Sequence, residues 1–177
     1  MTGFDEVRAS LWSEGDYGLQ PPLTDTAVRD AEVRLGVSLP ASLLSVLRVQ
    51  NGGQVAARWN AFPTRVPTSW SADHVPFDAL MGIGRREWMT SVLDTPELVE
   101  EWGPPSPLVL LSGDGHCWIA LDYRVCGPRG EPSLTWFDTD TGTELHLAAD
   151  FQSFVAGLVA DGPGGRGAGG PGFNRSE

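Results

Sequence analysis

Residues 28–53 read VRDAEVRLGVSLPASLLSVLRVQNGG, and two helical periods separated by a stop run through them. Val28, Ala31 and Leu35 form one apolar stripe, and the spacing predicts a helix over Asp25–Leu35. Thr24 or Asp25 can accept a bond from the free amides of its first turn. Asp25 and Arg29, and Asp30 and Arg34, are opposite charges four residues apart, which supports a helix slightly. Gly36 stops this helix, because glycine takes the left-handed conformation at low cost. Pro40 suits the first turn of a second helix, where no amide donor is needed. Leu43, Leu44, Val46 and Leu47 supply its buried face, and Asn51-Gly52-Gly53 terminates it and turns the chain.

Upstream, Phe4, Val7, Leu11 and Trp12 recur at helical spacing, and Pro21-Pro22 ends that segment. Downstream the period changes. Residues 54–62 and 79–84 read as short strands, with loops rich in Pro, Ser and Trp between them. Residues 95–102 read as a brief helix with Glu97, Glu100 and Glu101 on a solvated face. Residues 108–111 form an apolar strand, and Ser112-Gly113-Asp114-Gly115 is a turn. Residues 117–123 carry the strongest strand signal: Trp118, Ala120 and Asp122 alternate with Cys117, Ile119, Leu121 and Tyr123. Strands over 134–138 and 144–147 follow, joined at Asp140-Thr141-Gly142. Phe151, Phe154, Val155 and Leu158 mark a closing helix. Helices first and then mostly antiparallel strands is an α+β order. One domain is expected over residues 1–161. Residues 162–177 are dominated by Gly and are expected to be a disordered tail.

The chain has 177 residues, and a chain of that size buries roughly 70% of its unfolded surface. Seven Trp and seven Phe allow a core without metal or disulfide help. The net charge is -11, from 23 acidic and 12 basic residues, and every basic residue is Arg. Such a chain is repelled by phosphate backbones, which disfavours direct nucleic-acid binding, and it attracts basic partners. The two cysteines, Cys117 and Cys126, make no disulfide framework. The opening Met-Thr-Gly-Phe-Asp has no apolar stretch suited to a signal peptide, and no run approaches a membrane span. A cytoplasmic address with reduced thiols is expected, with no membrane partner.

Two groups of residues resemble one known family. The first is Val28, Glu32, Leu35, Gly36, Leu39, Pro40, Leu47, Asn51, Gly52 and Gly53: a helix with an acidic residue, Leu-Gly, Leu-Pro, and a helix closed by Asn-Gly-Gly. The second is the turn Gly113, Asp114, Gly115 before Trp118, Ile119, Ala120, Leu121 and Asp122. Thr135-Trp136-Phe137-Asp138 and a helix with Phe151 and Phe154 follow. In order and spacing these resemble the Smi1/Knr4 (SUKH) family, of the bacterial immunity-protein type, over roughly residues 24–160. The resemblance implies an α+β domain whose twisted, mostly antiparallel sheet has an N-terminal helix pair and a C-terminal helix packed beside it. It also implies a working part that binds protein. Many bacterial members neutralise a cognate secreted toxin, often one acting on nucleic acid, whereas fungal relatives serve in cell-wall and signalling regulation. An intracellular adaptor of the same fold with no toxin partner is the first alternative, and a hydrolase with an unrecognised site is the second.

Most of these matched residues are structural. Leu35, Leu39, Leu47, Ile119 and Leu121 are core residues, and Gly36, Gly52, Gly53 and Gly115 supply backbone freedom. His74, His116 and His146 are scattered without metal-ligand spacing, and Cys117 has no paired base. No phosphate loop or hydrolase elbow is present, so neither enzyme activity nor a cofactor, metal or small-molecule substrate is expected. The candidate partner-binding residues are aromatics in Pro/Ser-rich loops and the carboxylates around them: Trp59, Trp70, Asp73 and Asp78 in the middle segment, and Asp114, Asp138 and Asp140 in the later turns. Asp114, between two glycines, has the simpler role of bonding nearby backbone amides, Asp138 and Asp140 carry the same alternative, and core packing is the alternative for Trp59 and Trp70. The expected partner is a basic toxin domain covered by this acidic surface.

Overall fold

The computed structural model describes residues 3–162. Its first helix, α1 (Phe4–Ser10), is a single short piece with Val7 buried. Helix α2 (Asp25–Leu35) begins where its first-turn amides find a partner: the Thr24 hydroxyl accepts from the Ala27 amide at 3.1 Å. It ends at Gly36, whose φ of 70° is left-handed and whose amide donates to the Glu32 carbonyl at 2.9 Å. Helix α3 (Ala41–Val49) starts directly after Pro40. The Glu32 carboxylate spans the corner and accepts from the Leu39 amide at 2.9 Å, tying the helix pair together.

Charges expected to pair along α2 pair elsewhere. Asp25 meets Arg48 of α3 at 2.7 Å, and Arg34 meets Glu97 at 2.6 Å. Arg34 also donates to the Leu93 carbonyl at 2.9 Å, an acceptor that no neighbour on its own helix can offer.

The middle of the chain is less regular than its sequence pattern. The strand expected over 54–62 is only β1 (Gly53–Gln54) and β2 (Ala61–Pro63), split by a 3-10 turn at Ala57–Trp59. A strand not anticipated, β3 (His74–Pro76), pairs antiparallel with β2. The strand expected over 79–84 shortens to β4 (Ala79–Leu80), which pairs with β1. Gly52 explains the abrupt turn before β1: its φ is 94°, and a Cβ there would lie 2.6 Å from the Gly82 nitrogen and 2.7 Å from the Gly18 oxygen.

Helix α4 (Thr95–Trp102) has Pro in its first turn and ends at left-handed Gly103. Strands β5 (Leu108–Gly113), β6 (Cys117–Asp122), β7 (Ser133–Asp138) and β8 (Thr143–Ala148) form one antiparallel sheet in that order. Helix α5 (Phe151–Ala156) closes the described chain, capped by the Asp150 carboxylate on the Ser153 amide at 2.7 Å. Ile119, Leu121, Leu134 and Trp136 face the main core with Leu43 and Leu47 of α3 and Phe151 and Phe154 of α5. Leu110, Trp118, Ala120 and Phe137 face the other way and pack beneath Leu98, Val99 and Trp102 of α4. This period-two division is the one read from 117–123, with both faces covered. Burying each such large side chain is worth about 1.5–3 kcal/mol. The Tyr123 hydroxyl donates to the Ser38 carbonyl at 2.7 Å, which anchors the sheet to the corner between α2 and α3.

Helix pair, sheet and closing helix make the α+β architecture expected. No helix among the described residues is long and apolar enough to cross a membrane. The Gly-rich segment expected as a tail lies, from residue 163 on, outside the described residues.

Candidate functional site

The tip of the β5–β6 hairpin separates two cavities that share Ala79, Ser112, Gly113, Asp114 and Trp118, so they form one groove. The first, about 220 Å³, runs between the loop before β4 and the sheet end, and is lined by Trp70, Asp78, Cys117 and Trp136 among others. The second, about 350 Å³, lies against α4 and is lined by Tyr17, Met81, Met89, Leu98 and Trp102. Apart from Asp78 and Asp114, no lining residue of either cavity is charged.

Local geometry explains how this groove is held open. Gly115 has a φ of 100°, and a Cβ there would lie 3.0 Å from the Trp102 ring, so only glycine lets that indole lie across the turn. The Trp118 indole donates to the Gly115 carbonyl at 3.2 Å. Asp114 organises the same turn: its Oδ1 accepts from the amides of His116 and Cys117, both at 2.9 Å. The structural role foreseen for it is therefore present, yet the residue stays exposed on the groove wall. Asp78 is exposed as well, and its side chain has no hydrogen bond or ion pair among the described residues. Partial burial and then the neighbouring Asp161 carboxylate push its pKa upward.

The seven candidate residues separate on this geometry. Trp70, 39% exposed, joins Asp78 and Asp114 in the groove. Trp59 does not, and its reading as an interface aromatic is corrected: it is 9% exposed, part of the main core, and its indole donates to the Ser10 hydroxyl at 3.1 Å. The cause is the 3-10 turn, which rotates the ring inward. Asp138 is likewise not a presented carboxylate. It is 4% exposed and accepts from the Ser69 hydroxyl and from the amides of Asp140 at 2.9 Å and Thr141 at 3.2 Å. The Ser69 bond holds its pKa below the usual carboxylate range and fastens the loop that carries Trp70 to the end of β7. Asp138 is thus a positioning residue for that loop.

Asp73 is exposed but lies outside the groove, where it accepts from His74 at 2.8 Å and from Ser71 at 3.2 Å. Its bond to His74 lowers its pKa. Asp140 pairs with His116 at 3.0 Å, and the His116 ring stands edge-on to Trp102, with centroids 5.6 Å apart, beside the second cavity. The Asp140 hydrogen bond raises the His116 pKa. Tyr17, Met89, Trp102 and Trp118 were not anticipated as groove residues. Only their aromatic and thioether character hinted at it, because the groove forms between segments far apart in the chain.

Burial, followed by the charges of Asp138, Asp114 and Asp140, pushes the Cys117 thiol up to about 11, so it stays protonated near neutrality, the opposite of an activated nucleophile. Among the described residues no group of three or more His, Cys, Asp or Glu is arranged to hold a metal ion. A family model, SMI1 / KNR4 family (SUKH-1), matches residues 22–157. The chain belongs to this family. The match begins just before α2 and ends just after α5, so it takes in the helix pair, the sheet and every candidate residue of this SUKH-1 chain. No curated protein matched it.

Proposed function

We propose that this SUKH-1 chain is a cytoplasmic immunity protein that binds a cognate toxin domain and blocks its active site, without catalysis of its own. The observation that carries the reading is the groove. Its walls are aromatic and thioether side chains, and its only charges are two carboxylates with no cationic partner among the described residues. A toxin that acts on nucleic acid holds phosphate with cationic side chains, and a carboxylate-bearing face fits such a site.

Magnitudes assign the work between the two kinds of residue. An exposed ion pair contributes about 0.2–1 kcal/mol, so Asp78 and Asp114 alone cannot hold a stable complex. Together with the net charge of -11 they speed encounter with a basic surface. Lifetime comes from apolar burial, where a central aromatic contributes about 2 kcal/mol or more. We assign that part to Trp70, which is 39% exposed and lines the first cavity. Co-expression with a candidate toxin domain taken from the genes adjoining this one tests the reading. The expected result is restored growth together with a complex that survives size-exclusion chromatography. Absence of both rescue and complex would overturn it and leave an adaptor role.

A further inference from the structure

We infer that the cavity under Trp70 is a receptor for an arginine side chain presented by a peptide segment of the partner. This rests on the protein-binding reading above and adds the chemistry the partner must bring. Three residues with unmet hydrogen-bonding groups line this cavity. Asp78 has no hydrogen-bond or ionic partner among the described residues, and Asp114 uses only Oδ1 within its turn. Trp136 lines the same space, is 2% exposed, and its indole N–H has no acceptor. A buried donor without an acceptor is uncommon in a folded protein and marks the wall of this cavity as locally unmatched.

A peptide arginine carries the complementary set. Its guanidinium donates to two carboxylates at once through a planar fork, which an ammonium cannot do. Its plane stacks on an indole face, and Trp70 and Trp118 both line the cavity. No Arg of this chain lines either cavity, so the place is not taken by an internal cation among the described residues.

The test uses the full chain and three small probes: N-acetyl-arginine N-methylamide, its citrulline counterpart, and its lysine counterpart. Indole N–H resonances of the tryptophans are followed by NMR, with assignment by single Trp→Phe variants. The arginine probe is expected to move the Trp70, Trp118 and Trp136 signals saturably. Citrulline, nearly the same shape without charge, is expected to bind at least tenfold more weakly, and lysine several-fold more weakly. Asp78→Asn with Asp114→Asn should lose the arginine response at least tenfold; the asparagine oxygen keeps the turn bonds, and an unchanged melting temperature verifies the fold. No saturable shift, an equal response to citrulline or lysine, or an unaltered response in the double variant would overturn the inference. Growth rescue without any arginine response would remove this receptor and leave the immunity reading standing. An arginine response without rescue would do the reverse.

Discussion

Every polar atom of the Asn51 side chain is bonded to backbone. Its Nδ2 donates to the carbonyls of Pro21 at 2.7 Å and Ile83 at 2.8 Å, and its Oδ1 accepts from the Ile83 amide at 2.8 Å. The residue is 2% exposed, so water cannot replace these partners. Asn51→Ala should therefore cost about 3 kcal/mol in urea unfolding, several unmet backbone groups at about 1–3 kcal/mol each with incomplete additivity. A loss under about 1 kcal/mol would show that the hub is not needed. From the sequence, Asn-Gly-Gly is legible only as a helix stop. The partners lie 30 and 32 residues away, so no local pattern announces them. Asp114 is the converse: an Asp between two glycines states its turn role within four residues, and the structure bears that role out. The loop reading of Trp59 misses its burial, because a 3-10 turn at Ala57–Trp59 sets the ring in the core and nothing in the local sequence announces that turn.

At the scale of elements, Arg124 couples strands. It donates to Asp122 at the end of β6 at 2.8 and 3.0 Å, and to Glu144 of β8 at 3.0 and 3.2 Å, while its guanidinium lies 5.4 Å from the centre of the Phe137 ring of β7. Burial raises the Asp122 pKa, but the bonds from Arg124 and Thr135 outweigh it and leave it lowered. A carboxyl with a lowered folded pKa adds stability above its unfolded pKa and loses it as pH falls through the folded value. Arg124→Met should therefore destabilise by about 1–3 kcal/mol near neutrality, and the difference from wild type should shrink as pH drops below the carboxylate range. A difference independent of pH, measured by denaturation at several pH values, would contradict this. Strands β5 to β8 are legible because each is six residues long, enough to show alternation. Strands β1 to β4 have two or three residues each, too few for a period, and their pairing is set by contacts distant in the chain.

At the scale of the whole molecule, carboxylates without a cationic partner and accessible aromatics meet at the groove beside the β5–β6 tip, whereas Arg124 is matched by carboxylates of its own sheet. Acidity and aromatic loops pointed to a binding surface; which of those residues share it depends on how loops fold over the sheet end. The most direct measurement is the dissociation constant for the toxin domain that the co-expression test selects, by calorimetry at physiological ionic strength. Asp78→Arg with Asp114→Asn should weaken binding at least tenfold. Asp5→Arg with Glu131→Gln alters net charge equally at exposed positions outside the groove, and should stay within about twofold of wild type. Equal weakening by both pairs, or none by the groove pair, would contradict a binding site at this groove.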